Sequence, residues 1–250
     1  DSVALTHSAS DGMGIVASGI DWRPGDEVIT SDLEHVSGVA PWVYLAQTKG
    51  VKVIHLNSRD GFLDADQIDQ AISANTRLIC ISHVSYATGA VLPVAEVCER
   101  ARAKGVWVLV DGAQSAGHLP LDVDKLGCHF YAIPGQKWLL GPEGTGALYV
   151  APSVVESLAP SRIGWASLAT DHGEHDEIKL SPGARRFETA TVNAPAFRML
   201  AAAANMMAEI GFDKVYQRAR SLANRARNRL DQSGKVQIVT PSDAASGLLT

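Results

Sequence analysis

The chain has 250 residues, 46% hydrophobic and 20% charged, with a formal net charge of -5. That is the make-up of an ordinary globular chain long enough to bury a sizeable core, and its acidic balance excludes nucleic acid as the main partner. No run reaches the roughly 20 apolar residues of a membrane span, and the opening DSVALTHSAS lacks the charged head and apolar stretch of a secretory signal, so no membrane partner is expected.

In chain order, the strand-like run VALT leads into LTHSASDGMG, where Ser8 and Ser10 precede Asp11, Gly12 and a helical pattern. Backbone N–H groups at such a helix start, with two hydroxyls beside them, make an anion site; a plain capped helix is the alternative. EVITS and VKVIHL read as strands, and LDADQIDQAIS as a crossover helix with an aspartate near its start. After the strand RLICIS comes PVAEVCERARAKG, a helix with Pro at the front and Gly at the stop. The strand VWVLVD then delivers Asp111 to its tip, followed by Gly112, Ala113 and Gln114. A carboxylate at the end of an apolar strand calls for a cationic partner, or else caps a helix.

Next, HFYAI and GALYV flank a glycine-punctuated loop with Lys137 between Gln136 and Trp138. Lysine is seldom surrounded by apolar residues without a reason. The stretch SLATDHGEHDEIKLSPGARR reads as a polar surface loop; His172 and His175 within it are three apart, but the glycine between them favours a solvated loop over a metal site, and no metal is expected. APAFRMLAAAANMMAEIG is a long alanine-rich helix, and YQRARSLANRARNRL spreads its arginines over several faces, as a solvated surface does. The strand-like KVQIVT then opens a second unit.

The alternation predicts an α/β layer fold with a mainly parallel sheet, divided into a large domain over 1–232 and the beginning of a smaller α+β domain over 233–250. Cys80, Cys98 and Cys128 have no C-x-x-C spacing and sit in apolar contexts, which predicts buried thiols and a cytoplasmic location. The chain opens without Met and ends abruptly at LLT, so it is expected to be part of something longer.

Ligands of open α/β sheets gather at the carboxyl ends of strands. An anion site, a carboxylate and an amine placed there match the parts of pyridoxal phosphate: a phosphate, a ring nitrogen to be kept protonated, and an aldehyde to be held as an imine.

The runs SDLEHVSGVAPW, TRLICISHVSYATGAVLPV, VLVDGAQSAGHLPLDV and FYAIPGQKWLLGPEGTGALYV together resemble the class V aminotransferases of pyridoxal phosphate, the group that includes cysteine desulfurases, selenocysteine lyases and isopenicillin N epimerase-like proteins. The resemblance spans nearly the whole chain. It implies a three-layer large domain with a mainly parallel mixed sheet, fold type I. It implies Lys137 as the lysine that holds the cofactor as an imine and moves substrate protons, its amine made more basic in action by desolvation. Asp111 matches the acid facing the ring nitrogen, Gln114 the amide on the ring's phenolic oxygen, and His35 the imidazole stacked on the ring. Ser10 and the backbone of Ala9 fall where the phosphate is cradled. Thr191 matches a threonine that reaches the phosphate of the other subunit, which implies a homodimer.

There are departures from the desulfurase branch. Gln136 stands where that branch has His, Pro134 where it has Ser, Ala9 where a hydroxyl residue is usual, and Tyr86 where an asparagine lies near the substrate. An amide still donates a hydrogen bond and proline does not. The arginine that binds the substrate carboxylate, and the desulfurases' nucleophilic cysteine, are expected beyond Thr250. The implied activity is on a small amino acid, most of all carbon–sulfur cleavage of the desulfurase or lyase kind; transamination or epimerisation is the alternative, and an inactive fold used for partner binding the second.

Overall fold

The computed structural model describes residues 1–170 and 177–250. The seven apolar runs form seven strands: β1 (Val3–Thr6), β2 (Glu27–Ser31), β3 (Lys52–Leu56), β4 (Thr76–Ser82), β5 (Trp107–Asp111), β6 (Phe130–Pro134) and β7 (Gly146–Val150). They make one sheet in the order β1-β7-β6-β5-β4-β2-β3. Neighbours from β3 to β6 are parallel, while β7 runs antiparallel to both β6 and β1. The sheet is therefore mixed and mainly parallel, as the alternation predicts.

Helices cover both faces, and alternate residues of each strand feed opposite cores. On one face α1 (Ala9–Gly19) and α2 (Ala40–Lys49) pack through Met13, Val16, Trp42 and Leu45 against Cys80, Leu109 and Leu148. On the other, α3 (Ala65–Ala71) and α4 (Val94–Ala103) pack through Ile68, Val97 and Ala101 against Ile79, Ile81, Val108 and Val110. The short α5 (Val123–Leu126) joins the second face. Asp111 follows Val110 and shares the face of Leu109, so its carboxyl is aimed toward the α1 side at the carboxyl edge of the sheet.

At the C-terminal end, α6 (Ala194–Ile210) buries Met207, and α7 (Phe212–Ser233) buries none of its residues, which agrees with a solvated arginine helix. Arg227 is the exception in function, since its guanidinium donates to the carbonyls of Thr240 and Pro241 at 2.9 Å each.

Two expectations are corrected. KVQIVT is not a strand: no neighbouring strand pairs with it among the described residues, and Val239 N–H instead donates to Thr250 O at 2.9 Å as the segment folds back on itself. The polar stretch after Leu168 is not all surface either. His172 and His175 lie outside the described residues, but Ser181, Ala184 and Arg186 are buried, and Arg186 grips Glu156 through two hydrogen bonds of 2.7 and 2.6 Å. A buried guanidinium needs such a fork of acceptors. Among the described residues no helix is long and apolar enough to cross a membrane, and Cys80, Cys98 and Cys128 are free and buried.

Candidate active site

At the carboxyl edge of the sheet lies a cavity of about 270 Å³. Three stretches far apart in sequence wall it: the start of α1, the tip of β5, and the loop between β6 and β7.

Helix α1 is capped by Ser8, whose Oγ accepts from Asp11 N–H at 3.1 Å, and Ser8, Ala9 and Ser10 all line the cavity. The free N–H groups of the first turn and the Ser10 hydroxyl thus face the same space, a donor set suited to an anion. The β6–β7 loop is tied shut by Gly135 N–H to Thr145 O at 2.7 Å, Gly141 N–H to Gly135 O at 2.8 Å, and Thr145 Oγ1 to Pro142 O at 2.6 Å. A Cβ on Gly135 would lie 2.1 Å from Thr145 Oγ1, so only glycine lets the loop close this tightly. Lys137 is carried on this loop, with Pro134 and Gln136 beside it in the cavity wall. The burial expected for Lys137 from its apolar surroundings is not found. Its side chain is exposed at the cavity mouth, because the apolar residues around it belong to the flanking strands.

Asp111 is 4% exposed. Its Oδ1 accepts from Ala113 N–H at 2.8 Å, which leaves Oδ2 for a donor in the cavity. Burial raises its pKa, while the Ala113 hydrogen bond and the charges of Lys137 and His35 pull it down. Gln114 lies on the same wall, its Oε1 accepting from Trp138 Nε1–H at 2.8 Å. An indole can only donate, so the amide oxygen faces the indole and the NH₂ end is the one available to the cavity.

His35 follows β2 and accepts Ser37 N–H on Nδ1 at 3.2 Å, so the neutral ring carries its proton on Nε2. Its ring meets Tyr86 edge to face, centroids 5.2 Å apart. Both rings are exposed and line the cavity. Thr191 is also exposed but stands outside the cavity, in the segment before α6. The structure thus brings together Ala9, Ser10, His35, Tyr86, Asp111, Gln114, Gln136 and Lys137, and leaves Thr191 apart.

Ser82, Ser37 and Met13 also line the cavity, and sequence reasoning did not single them out. Ser82 had a signal, since it is the one hydroxyl closing the apolar strand β4, in register with Asp111. Its Oγ donates to buried Glu34 Oε2 at 2.6 Å, and Ser31 Oγ donates to Oε1 at 3.0 Å. Burial, with Asp111 adding repulsion, pushes the Glu34 carboxyl from 4.5 up to about 7. A raised acid pKa means that the unfolded chain releases, between pH 4.5 and 7, a proton the folded chain keeps, so this group's contribution falls as pH rises through that window. The loss is on the order of 3 kcal/mol. Glu34→Gln mimics the protonated acid, so the ligand-free variant should lose less stability than wild type between pH 5 and 8. Urea unfolding at both pH values checks this; identical pH slopes would contradict the assignment.

The donors and acceptors fit a flat heteroaromatic ring with a protonated nitrogen at Asp111, an oxygen at Gln114, an electrophilic carbon at Lys137 and an anionic tail at the start of α1. Pyridoxal phosphate is such a molecule. The fit is good at every group except Pro134, which supplies no donor to the anion.

Comparison with known proteins agrees. The family model described as aminotransferase class-V matches residues 1–250. A probable cysteine desulfurase of Methanothermobacter thermautotrophicus is 36% identical over 216 residues, covering 86% of this chain and 53% of the relative. The isopenicillin N epimerase of Streptomyces clavuligerus is 32% identical over 255 residues, covering 98% of this chain and 64% of the relative. Among solved structures, the cystine C–S lyase C-DES, in complex with its reaction product cysteine persulfide, superposes with a TM-score of 0.93 at 32% identity, covering 99% of this chain and 67% of that one. A mutant of the same lyase carries glycine covalently linked to its pyridoxal phosphate cofactor. The chain spans 53% and 64% of the two curated relatives, so it corresponds to a part of their length.

Proposed function

The chain belongs to the class V aminotransferase family, and we propose that the complete protein is a pyridoxal phosphate enzyme that cleaves the carbon–sulfur bond of a small amino acid, of the cysteine desulfurase or C–S lyase kind. The observation that carries this reading is the meeting of a buried carboxylate, an oriented amide, a lysine amine and a helix N-terminus in one cavity. The cofactor supplies a protonated ring that takes up negative charge from the substrate's α-carbon.

The protein's own groups do the rest. The first-turn amides of α1, with Ser10 and Gln136, bind the phosphate, and the helix dipole favours its charge. Asp111 Oδ2 accepts the ring N–H and, being shielded from water, keeps that proton in place. Gln114 donates through its NH₂ to the ring oxygen. His35 offers its exposed ring face to the cofactor ring, with Tyr86 bracing its edge. Lys137 Nζ bonds the cofactor in the resting enzyme and, once released, removes the α-proton and returns it. Its exposure at the mouth is then removed by the ligand itself, which covers the amine and excludes water. A cavity of about 270 Å³ lies at the lower end of the usual range for ligand sites, about 300 Å³ upward, which favours a small substrate.

The reading extends to a homodimer, supported by Thr191, which stands exposed and outside its own cavity and so is free to serve a neighbour's. Residues 233–250 would begin a smaller domain that holds the substrate's carboxylate. Three free buried thiols favour a cytoplasmic setting. Epimerisation is the second reading, favoured by the epimerase relative that covers 98% of this chain.

Two measurements test the proposal. The complete protein loaded with pyridoxal phosphate should turn yellow, and borohydride followed by peptide mapping should leave the cofactor on Lys137; a label on Lys104 or Lys125 would refute the site. Incubation with L-cysteine should give alanine with enzyme-bound persulfide, or pyruvate with ammonia for a plain lyase. A keto acid with retained sulfur would indicate an aminotransferase, and loss of optical purity alone an epimerase.

A further inference from the structure

Gln114 is held by residues to which the proposed chemistry gives no part. Trp138 Nε1–H donates to its side-chain Oε1, and His118 Nδ1 lies 2.8 Å from its main-chain oxygen. The His118 ring stacks on Trp138, with centroids 3.9 Å apart and planes within 14°. On its other side, His118 Nε2 lies 2.6 Å from the N–H of Gly247, 129 residues away in sequence.

These contacts leave His118 one state. A backbone N–H only donates, so Nε2 is bare; a carbonyl only accepts, so Nδ1 carries the proton. A charged ring would turn an N–H against the N–H of Gly247, and burial lowers the pKa in the same sense. The approach is close as well as directed. A Cβ on Gly247 would lie 2.9 Å from His118 Nε2, so the segment reaches the imidazole only because glycine stands there.

We propose that His118 is a positioning residue: stacked on Trp138 and bonded to the Gln114 backbone, it fixes the Gln114 amide with its NH₂ toward the cavity, and through Gly247 it ties that orientation to the docking of the C-terminal segment. This deepens the reading above and rests on it for the identity of the ligand oxygen. An amide has two nearly isosteric ends. Held by the indole, Gln114 gives a donor to an anionic ring oxygen; unheld, it can turn and present an acceptor, which repels that oxygen. Since the donor favours the deprotonated form of the bound chromophore, a loosened amide moves the pH midpoint of its colour change upward.

The test uses the complete protein and two variants. His118→Phe keeps an aromatic face for Trp138 and removes both hydrogen bonds; His118→Asn returns a donor near the position of Nδ1. Without cofactor, the indole N–H of Trp138 is followed by NMR in protein labelled on tryptophan and assigned with Trp138→Phe. Its exchange with solvent should be about tenfold faster in His118→Phe, the factor expected for a weakened hydrogen bond, with partial recovery in His118→Asn. With pyridoxal phosphate bound, the colour-change midpoint should rise by about 0.5–1 pH unit in His118→Phe, the worth of one hydrogen bond to one protonation state. A purely structural role would lower the melting temperature and leave the midpoint in place, and that result, or unchanged indole exchange, would overturn the proposal. Should His118→Phe fail to fold, Trp138→Phe, which keeps the stack and drops only the indole donor, must show the same upward shift; no shift there overturns it equally. If wild type binds no pyridoxal phosphate, the proposed function fails, while the indole exchange still decides the role of His118.

Discussion

Replacing Lys137 by alanine should lower turnover by about 10³-fold or more, because the residue removes and returns the substrate proton and also binds the cofactor covalently. The fold should be untouched, since the side chain is exposed on a loop whose closure is made by Gly135, Gly141 and Thr145. A small primary amine added to the solution should restore part of the rate, because it can occupy the space the side chain left. Steady-state rates with and without the amine, beside an unchanged circular dichroism spectrum, make the comparison. A variant within tenfold of wild type would remove Lys137 from the chemistry.

Asp111→Asn should cost on the order of 10²–10³ in turnover, the usual range for removing one aligned electrostatic group from a water-poor site. Asparagine keeps the shape and can still accept from Ala113 N–H, but it then turns an NH₂ toward the ring nitrogen and cannot hold a proton there. Without cofactor the variant should be at least as stable as wild type above neutral pH, because a buried carboxyl whose pKa burial has raised is a liability once it ionises. Activity loss with stability kept separates a chemical role from a structural one. Near wild-type turnover would rule out the ring-nitrogen role.

The strands were legible because each is an apolar run bounded by turn residues, and in a doubly covered sheet such runs stand out from the polar helices between them. Helix α2 was not legible. It buries only Trp42 and Leu45, so its apolar repeat is too sparse to read, although Pro41 near its start and the left-handed Gly50 at its end mark its limits. KVQIVT misled for the opposite reason: its residues favour a strand, but a strand exists only where a neighbour supplies hydrogen bonds. In the site, Asp111 and Lys137 were legible as charges out of place among apolar residues. Glu34, Ser82 and His118 were not, because what singles them out is partners 48, 48 and 129 residues away, a pairing that no local pattern encodes.

The antiparallel strand β7 governs when this site can come into being. The start of α1, its anion-binding wall, hangs from β1, and β1 enters the sheet only by pairing with Gly146–Val150. The register joins Val3 to Tyr149 and Thr6 to Gly146, a contact of very long loop closure that is slow to form. A nascent chain emerging from the ribosome therefore exposes its first strand as an unpaired edge until the lysine loop and β7 have been translated. From then on, the same hairpin that presents Lys137 also seats β1, so the amine and the phosphate cradle are assembled in one event. Before that event the protein has neither half of its cofactor site, and pyridoxal phosphate could not serve as an early folding template.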